Sequence, residues 1–423
     1  MTQQPPASEP APRTRAVWRR NLAALWLAEF TAILGFSFAF PFLPLFIHRE
    51  LHIPNGPELS FWTGISGGAT GFALALTGPI WGRLADRFGR KPMLMRAMVG
   101  GGVSVGLMGL SQSALQLTAL RAVQGASSGT VAAATALVAS ETPAEHLAWA
   151  LGILNSAISL GSAAGPAAGG LAANLVGLRV IFLGGGVLLL LATLPVLILV
   201  HERPRRTTRS ATPPTLQVLR AARAGTLGAL AVLMVAQALQ MTSYAAAQQL
   251  VALRFLELIP RAADAQSLTG VTFAAAGLAT ALAAIGYSRL LRRTSFRVLT
   301  IAAAGVLAAA LLATAAAGTP ALVAVGFVFS SFASGSLIPA FGAMVGLETP
   351  AVIQATIFGF LSSAVSIGFG LGPLLGGIVA SAAGVQTGMI VAAGLSLAVV
   401  LILGLAAREP RPPQPVVVLP GTP

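Results

Sequence analysis

The chain reads as an all-α integral membrane protein, with twelve transmembrane helices arranged as two pseudo-symmetric six-helix bundles. Three observations predict this. Hydrophobic residues fill 55% of the 423 positions and charged residues only 9%, with a mean hydropathy of +0.82, far above the range of soluble domains. Apolar windows of ~20 residues, the length needed to cross the hydrocarbon layer, recur along the chain. The sequence also repeats itself at an offset close to half its length.

In chain order the candidate spans cover residues 21–47, 60–82, 93–112, 115–138, 146–172, 179–200, 225–250, 267–287, 297–317, 320–346, 351–379 and 386–406. The first is too long for a signal peptide and no A-x-A-like site follows it, so it reads as a retained helix. Windows 188–200 and 390–406 carry no charge. The stretch 201–224, rich in Arg, Thr and Pro, reads as a linker. The expected organisation is a tail (1–20), a first bundle (21–200), the linker, a second bundle (225–406) and a second tail (407–423).

A net charge of +14 invites a nucleic-acid reading, but its distribution argues for a bilayer. Of the 26 basic residues, 21 fall in alternate connections and tails, including Arg83, Arg87, Arg90, Lys91, Arg96 and Arg297. Arg49, Arg179, Arg254 and Arg261 fall on the other side, and only Arg121 lies inside a span. Such asymmetry follows the positive-inside rule and predicts cytoplasmic termini with no nucleic-acid partner. With no cysteine, disulfides and thiolate metal sites are excluded.

The repeat is specific. Gly161, Gly165, Pro166, Gly169 and Gly170 return as Gly368, Gly372, Pro373, Gly376 and Gly377, and Glu141-Thr142-Pro143 returns as Glu348-Thr349-Pro350, both at an offset of 207. Arg83-Leu84 has an echo in Arg289-Leu290. Small residues at i and i+4 let helix backbones approach closely in lipid, and the proline favours a bend. Each Thr-Pro pair suggests a helix start, with the threonine as N-cap.

Gly82-Arg83-Leu84-Ala85-Asp86-Arg87-Phe88-Gly89-Arg90-Lys91 is a dense charged turn between two apolar runs. This G-x-L-A-D-R-x-G-R-K pattern closely resembles the loop between helices 2 and 3 of major facilitator superfamily (MFS) transporters. The first glycine-proline motif resembles the fifth-helix motif of drug–proton antiporters in that superfamily, and Arg121, Gln124 and Gly125 match its R-x-x-Q-G helix 4 pattern. The resemblance implies a conformational gate at Gly82, Asp86, Arg87, Gly89 and Arg90. There Asp86 would lock the cytoplasmic side against nearby arginines and the start of helix 11. It also implies proton coupling, with Glu29 and Arg121 as candidates because a charge at membrane depth marks function by default. In similar bacterial efflux proteins the residue at Glu29 is more often an amide, which leaves its proton role open. Arg292 stands where Asp86 would repeat.

A substrate cavity is expected between the halves. Gln124, Ser128 and Thr135 share the helical face of Arg121. Glu29, Ile33, Ser37 and Phe40 form a stripe on helix 1. Gln237, Gln240, Tyr244 and Gln248 form another on helix 7. Phe36 and Phe40 would supply an apolar wall, with Asn155 and Ser159 as further polar candidates.

Gly125-Ala126-Ser127-Ser128-Gly129 fits the G-x-S-x-G pattern. However, His48, His52, His146 and His201 all lie at span ends or in loops, which leaves a buried serine no base. No P-loop occurs, so neither an enzyme nor an ATPase is expected. A scaffold is disfavoured by the many Gly- and Pro-broken spans. The expectation is a monomeric, bacterial, cytoplasmic-membrane exporter of small amphipathic molecules, driven by protons and needing no cofactor. A sugar or metabolite permease is the alternative.

Overall fold

Lipid offers the backbone no hydrogen-bond partner, so each apolar stretch must close its own bonds as helix. The computed structural model describes residues 12–202, 224–290, 294–349 and 354–409, and these form helices without strands. Most of the linker, Arg292 and Pro350 lie outside the described residues. Span 1 comprises α1 (Pro12–Ala39), a 3-10 turn (Phe40–Phe42) and α2 (Leu43–Arg49). Spans 2 and 3 are α3 (Pro57–Phe88) and α4 (Arg90–Met108), and span 4 is α5 (Ala114–Ser127) plus α6 (Thr130–Glu141). Span 5 is α7 (Leu147–Val176), and span 6 is α8 (Leu178–Leu191) plus α9 (Thr193–Leu199). Spans 7 to 12 are α10 (Ala224–Leu258), α11 (Ala262–Leu290), α12 (Phe296–Ala316), α13 (Pro320–Glu348), α14 (Gln354–Ala383) and α15 (Val385–Leu405). Nine of these twelve spans are long and apolar enough to cross a membrane by length and composition alone.

Three local expectations are corrected. The charged stretch Gly82–Phe88 continues the helix of span 2, and only Gly89, at φ 97°, turns the chain. Span 4 is broken at Ser128–Gly129. Thr142 ends α6 and a 3-10 turn (Ala144–His146) follows, so it does not cap span 5. Thr349 likewise bonds backward, to Val345 O at 2.6 Å.

The two halves use the same internal pairings. Spans 1, 2, 3 and 1 pack on 5, 4, 6 and 6, and spans 7, 8, 9 and 7 pack on 11, 10, 12 and 12. A pair of acidic caps marks the same relation. Both carboxylate oxygens of Glu202 accept the first N–H groups of span 3, from Arg90 at 2.8 Å and Lys91 at 2.9 Å. Glu409 does the same for span 9, at Phe296 (2.8 Å) and Arg297 (3.1 Å). A negative charge there answers the positive end of each helix dipole. These contacts gather the chain ends, the turn between spans 2 and 3 and the turn between spans 8 and 9 on one face, hereafter the terminal face.

The glycine-proline motif serves two interfaces. Gly161 and Gly165 meet span 1, where an added Cβ would stand 2.9 Å from Phe30 O and Leu34 O respectively. Gly368 and Gly372 meet span 7 in the same way, near Ala238 O and Thr242 O. The remaining small residues join the halves. Gly170 lies against Gly270 of span 8, and Gly64 and Gly71 lie against Gly377 and Gly370 of span 11. These contacts between the halves lie along the parts of spans 2, 5, 8 and 11 away from the terminal face. Toward the terminal face, Gly78, Gly82, Gly152, Gly286 and Gly359 have nothing within 4 Å of an added Cβ. The two bundles are therefore sealed together at the far face and apart at the terminal face.

The seam can be tested by crowding it. Gly71→Ala would drive a methyl group into the Gly370 backbone. Spin labels at Glu58→Cys and Ala382→Cys are unambiguous, because the chain has no cysteine of its own. Pulsed electron resonance is expected to give a longer distance between them in Gly71→Ala, and an unchanged distribution would contradict the seam.

Candidate functional site

Two charged side chains are buried among the described residues, Glu29 at 0% exposure and Arg121 at 3%. They form no ion pair with each other or with any other described residue.

Arg121 is held by neutral groups. Its Nε donates to Ser66 O at 3.2 Å, Nη1 donates to Gln124 Oε1 at 2.8 Å, and the guanidinium lies 4.9 Å from the centre of the Phe40 ring. Phe40 stacks in turn on Phe36, with 5.9 Å between ring centres. The Thr70 hydroxyl donates to Arg121 O at 3.0 Å, and Gly125 leaves room for the Thr70 backbone. The R-x-x-Q-G spacing is thus physical: arginine, its orienting amide three residues on, and a glycine that admits span 2. Nη2 donates to no described residue, yet it is not sealed from solvent.

Glu29 lies nearer the terminal face. Both of its carboxylate oxygens are buried without a hydrogen bond. The Thr130 hydroxyl is its near neighbour, without a bond of ordinary geometry. Thr130 opens α6, whose N-cap Gly129 sits at φ 121° and offers no side-chain cap. The first N–H groups of this half-helix have no intrahelical partner, and their dipole presents positive charge toward a carboxylate.

The other side of the break is fully answered. Arg96 donates to Ser127 O (3.1 Å) and Ser128 O (3.3 Å), with its guanidinium 3.6 Å from the centre of the Trp81 ring. Trp81 Nε1 donates to Ala126 O at 2.6 Å. Ser128 bonds back to Gln124 O at 2.8 Å. Arg96 was expected at the surface, and its role at the break was missed. The available signal was Ser127-Ser128-Gly129 itself, since paired small polar residues before a glycine favour an interruption. The break also ends the stripe expected to run from Arg121 to Thr135.

The second half holds no buried charge among the described residues. Gln237 donates to Gln240 (3.0 Å), Gln240 donates to Ser334 (2.9 Å), and Tyr244 donates to Ser331 (3.1 Å). These side chains tie span 7 to span 10. Gln237 and Gln240 are closed off, whereas Tyr244 and Gln248 remain half-buried. Thr280 donates to Ser331 O at 3.1 Å, as Thr70 does to Arg121 O, so Ser331 occupies the position of Arg121 in the second bundle.

On span 1, the Cβ atoms of Ile33 and Ser37 pack against Gly161 and Gly165, and both residues are half-buried. Asn155 and Ser159 are exposed. They continue, at four-residue steps, the stripe through Ala163 that meets Gly277 of span 8, which directs them into the opening at the terminal face. Asp86 and Arg87 are exposed at that opening, and Asp86 forms no ion pair with a described residue. Arg87 lies over its neighbour Phe88, and the side chain of Arg90 donates to Ala136 O. Gly89 seats Glu202, whose Oε2 would be 2.8 Å from an added Cβ.

A polar latch spans the far face. Arg49 donates to Gln266 (2.9 Å), Gln266 donates to Asn174 (2.9 Å), and Asn174 donates to Ser267 (2.7 Å). Asn55 donates to Leu256 O at 3.2 Å.

Gly129→Ala isolates the geometry of the break, because nothing lies within 4 Å of the added methyl. The positive φ alone is expected to cost about 1–3 kcal/mol, read as a lower Tm in detergent. An unchanged Tm would show that the break needs no glycine.

The profile of the Major Facilitator Superfamily matches residues 25–260 and 255–421. The multidrug resistance protein MdtG of Escherichia coli O1:K1 is 30% identical over 397 residues, covering 94% of this chain and 97% of that protein. A D-xylose–proton symporter structure aligns with a TM-score of 0.72 at 15% identity, over 92% of this chain and 98% of its own. A bacterial homologue of the human lysosomal transporter Spinster, in an inward-facing and occupied conformation, aligns with a TM-score of 0.71 at 16% identity, over 94% and 97%.

Proposed function

The chain belongs to the Major Facilitator Superfamily and is a multi-pass membrane transporter, and from that premise we propose that it exports small amphipathic molecules in exchange for protons. Likeness to a protein named for multidrug resistance supports the direction and the breadth of substrate. The observation that carries the reading is the asymmetric seam: closed by glycines at one face, open at the other, with two unpaired buried charges at depth. With the basic terminal face toward the cytoplasm, this is the inward-facing state.

In that state the charged end of span 2 stands free. Asp86 then engages only when the terminal face closes, as the gate of a rocker-switch. The far-face latch, Arg49–Gln266–Asn174–Ser267, would have to break in the same step. Glu29 is the proton carrier in this scheme. A proton on it cancels a charge that no side chain neutralises, and the α6 N-terminus receives the carboxylate when the proton leaves. A sugar permease would use the amides of span 7, but Gln237 and Gln240 are occupied with each other and with Ser334.

The test is a strain lacking its own efflux pumps. Expression is expected to lower its susceptibility to a panel of amphipathic antibacterials, and Asp86→Asn is expected to remove most of that protection at equal protein level. Loss of no susceptibility to any compound in the panel would overturn export. In proteoliposomes, Glu29→Gln is expected to abolish uptake driven by a pH gradient while leaving substrate binding within about threefold. Full gradient-driven transport by that variant would remove Glu29 from the coupling.

A further inference from the structure

We propose that the central site selects amphipathic anions, with Arg121 as the group that takes the anionic oxygen and Phe36 and Phe40 as the wall that takes the apolar body. The inference rests on the transporter reading and adds a substrate class to it. A guanidinium at membrane depth is costly unless compensated. Here its protein partners are a carbonyl, an amide oxygen and an aromatic face, all neutral. Nη2 carries donors that no described residue uses.

The equivalent position in the second bundle is Ser331, bonded to Tyr244 and Thr280. Among the described residues the second bundle buries no carboxylate that could offset the charge. The other buried charge, Glu29, is eleven residues from Phe40 on span 1, about 16 Å along a helix axis. Phe40 begins the 3-10 turn that touches spans 7 and 8, so Arg121 lies beneath the junction of the two halves. A cation with free N–H groups beside two stacked rings fits a carboxylate, sulfonate or phosphonate on a flat apolar body, bound through charge-assisted hydrogen bonds. A cationic amphipath would meet uncompensated repulsion there.

The experiment uses full-length protein in nanodiscs and three matched probes: 1-naphthoate, 1-naphthamide and 1-naphthylmethylammonium. Calorimetry is expected to show naphthoate binding at least about tenfold more tightly than either of the others. The preference should persist in 0.5 M salt, because a buried contact is screened far less than attraction to the basic surface. Arg121→Gln should erase it and Arg121→Lys should restore part of it, with the elution volume of each variant as the folding control. Equal binding of the three probes, no detectable naphthoate binding or loss of the preference in salt would each overturn the assignment, and these wild-type measurements stand even if Arg121→Gln fails to fold. Gradient-driven transport of the ammonium probe alone would overturn the anion class while leaving the transporter reading intact.

Discussion

Close backbone approach across the far-face seam is the constraint on which the rest of the structure depends. In lipid, helices gain little from burying apolar side chains against each other, so they associate where small residues let backbones meet. Spans 2 and 11, and spans 5 and 8, meet through glycines on both sides. The seam stops near the middle of these helices: Gly64, Gly71 and Gly170 are tightly packed, whereas Gly78, Gly82 and Gly152 have nothing within 4 Å of an added Cβ. The differences between the two faces follow: Asp86 pairs with no described residue, Asn155 and Ser159 are exposed, and the far-face latch is closed.

The second constraint is the handling of charge at depth. Neither Glu29 nor Arg121 is paired with a described charged residue, and the chain compensates them differently. Arg121 is surrounded by neutral acceptors and a ring. Glu29 is set against a half-helix N-terminus created by breaking span 4. Arg96 and Trp81 satisfy the carbonyls on the opposite side of that break. Non-helical backbone is tolerated at this depth only where protein or a wet cavity covers it, and here Arg96 and Trp81 cover the break.

Much of this was legible from residue type and spacing. Apolar windows and basic connections predicted twelve helices, and the offset of 207 between the two glycine-proline motifs predicted equivalent pairings in both halves. The repeat of Glu202 and Glu409 was present at the same offset but went unread, because a lone acid after a span looks like linker chemistry. The polar stripes were legible as stripes and illegible as contacts. Gln237 donates to Gln240 and Gln240 donates to Ser334, which no periodicity reveals, and the Cβ of Ser37 packs on Gly165. The break at Gly129 was hidden because α5 and α6 together fit one apolar window. Which face of the molecule is open depends on packing between distant helices, and single-helix patterns carry no trace of it.

The central claim is reciprocal opening about this seam. It is tested most directly by measuring two distances in one sample series: Glu58→Cys to Ala382→Cys across the far face, and Arg83→Cys to Phe360→Cys across the terminal face, with pH lowered stepwise in nanodiscs. The account predicts that one distance lengthens as the other shortens, with a shared midpoint that Glu29→Gln removes. Two distances that stay fixed, or that lengthen together, would contradict it.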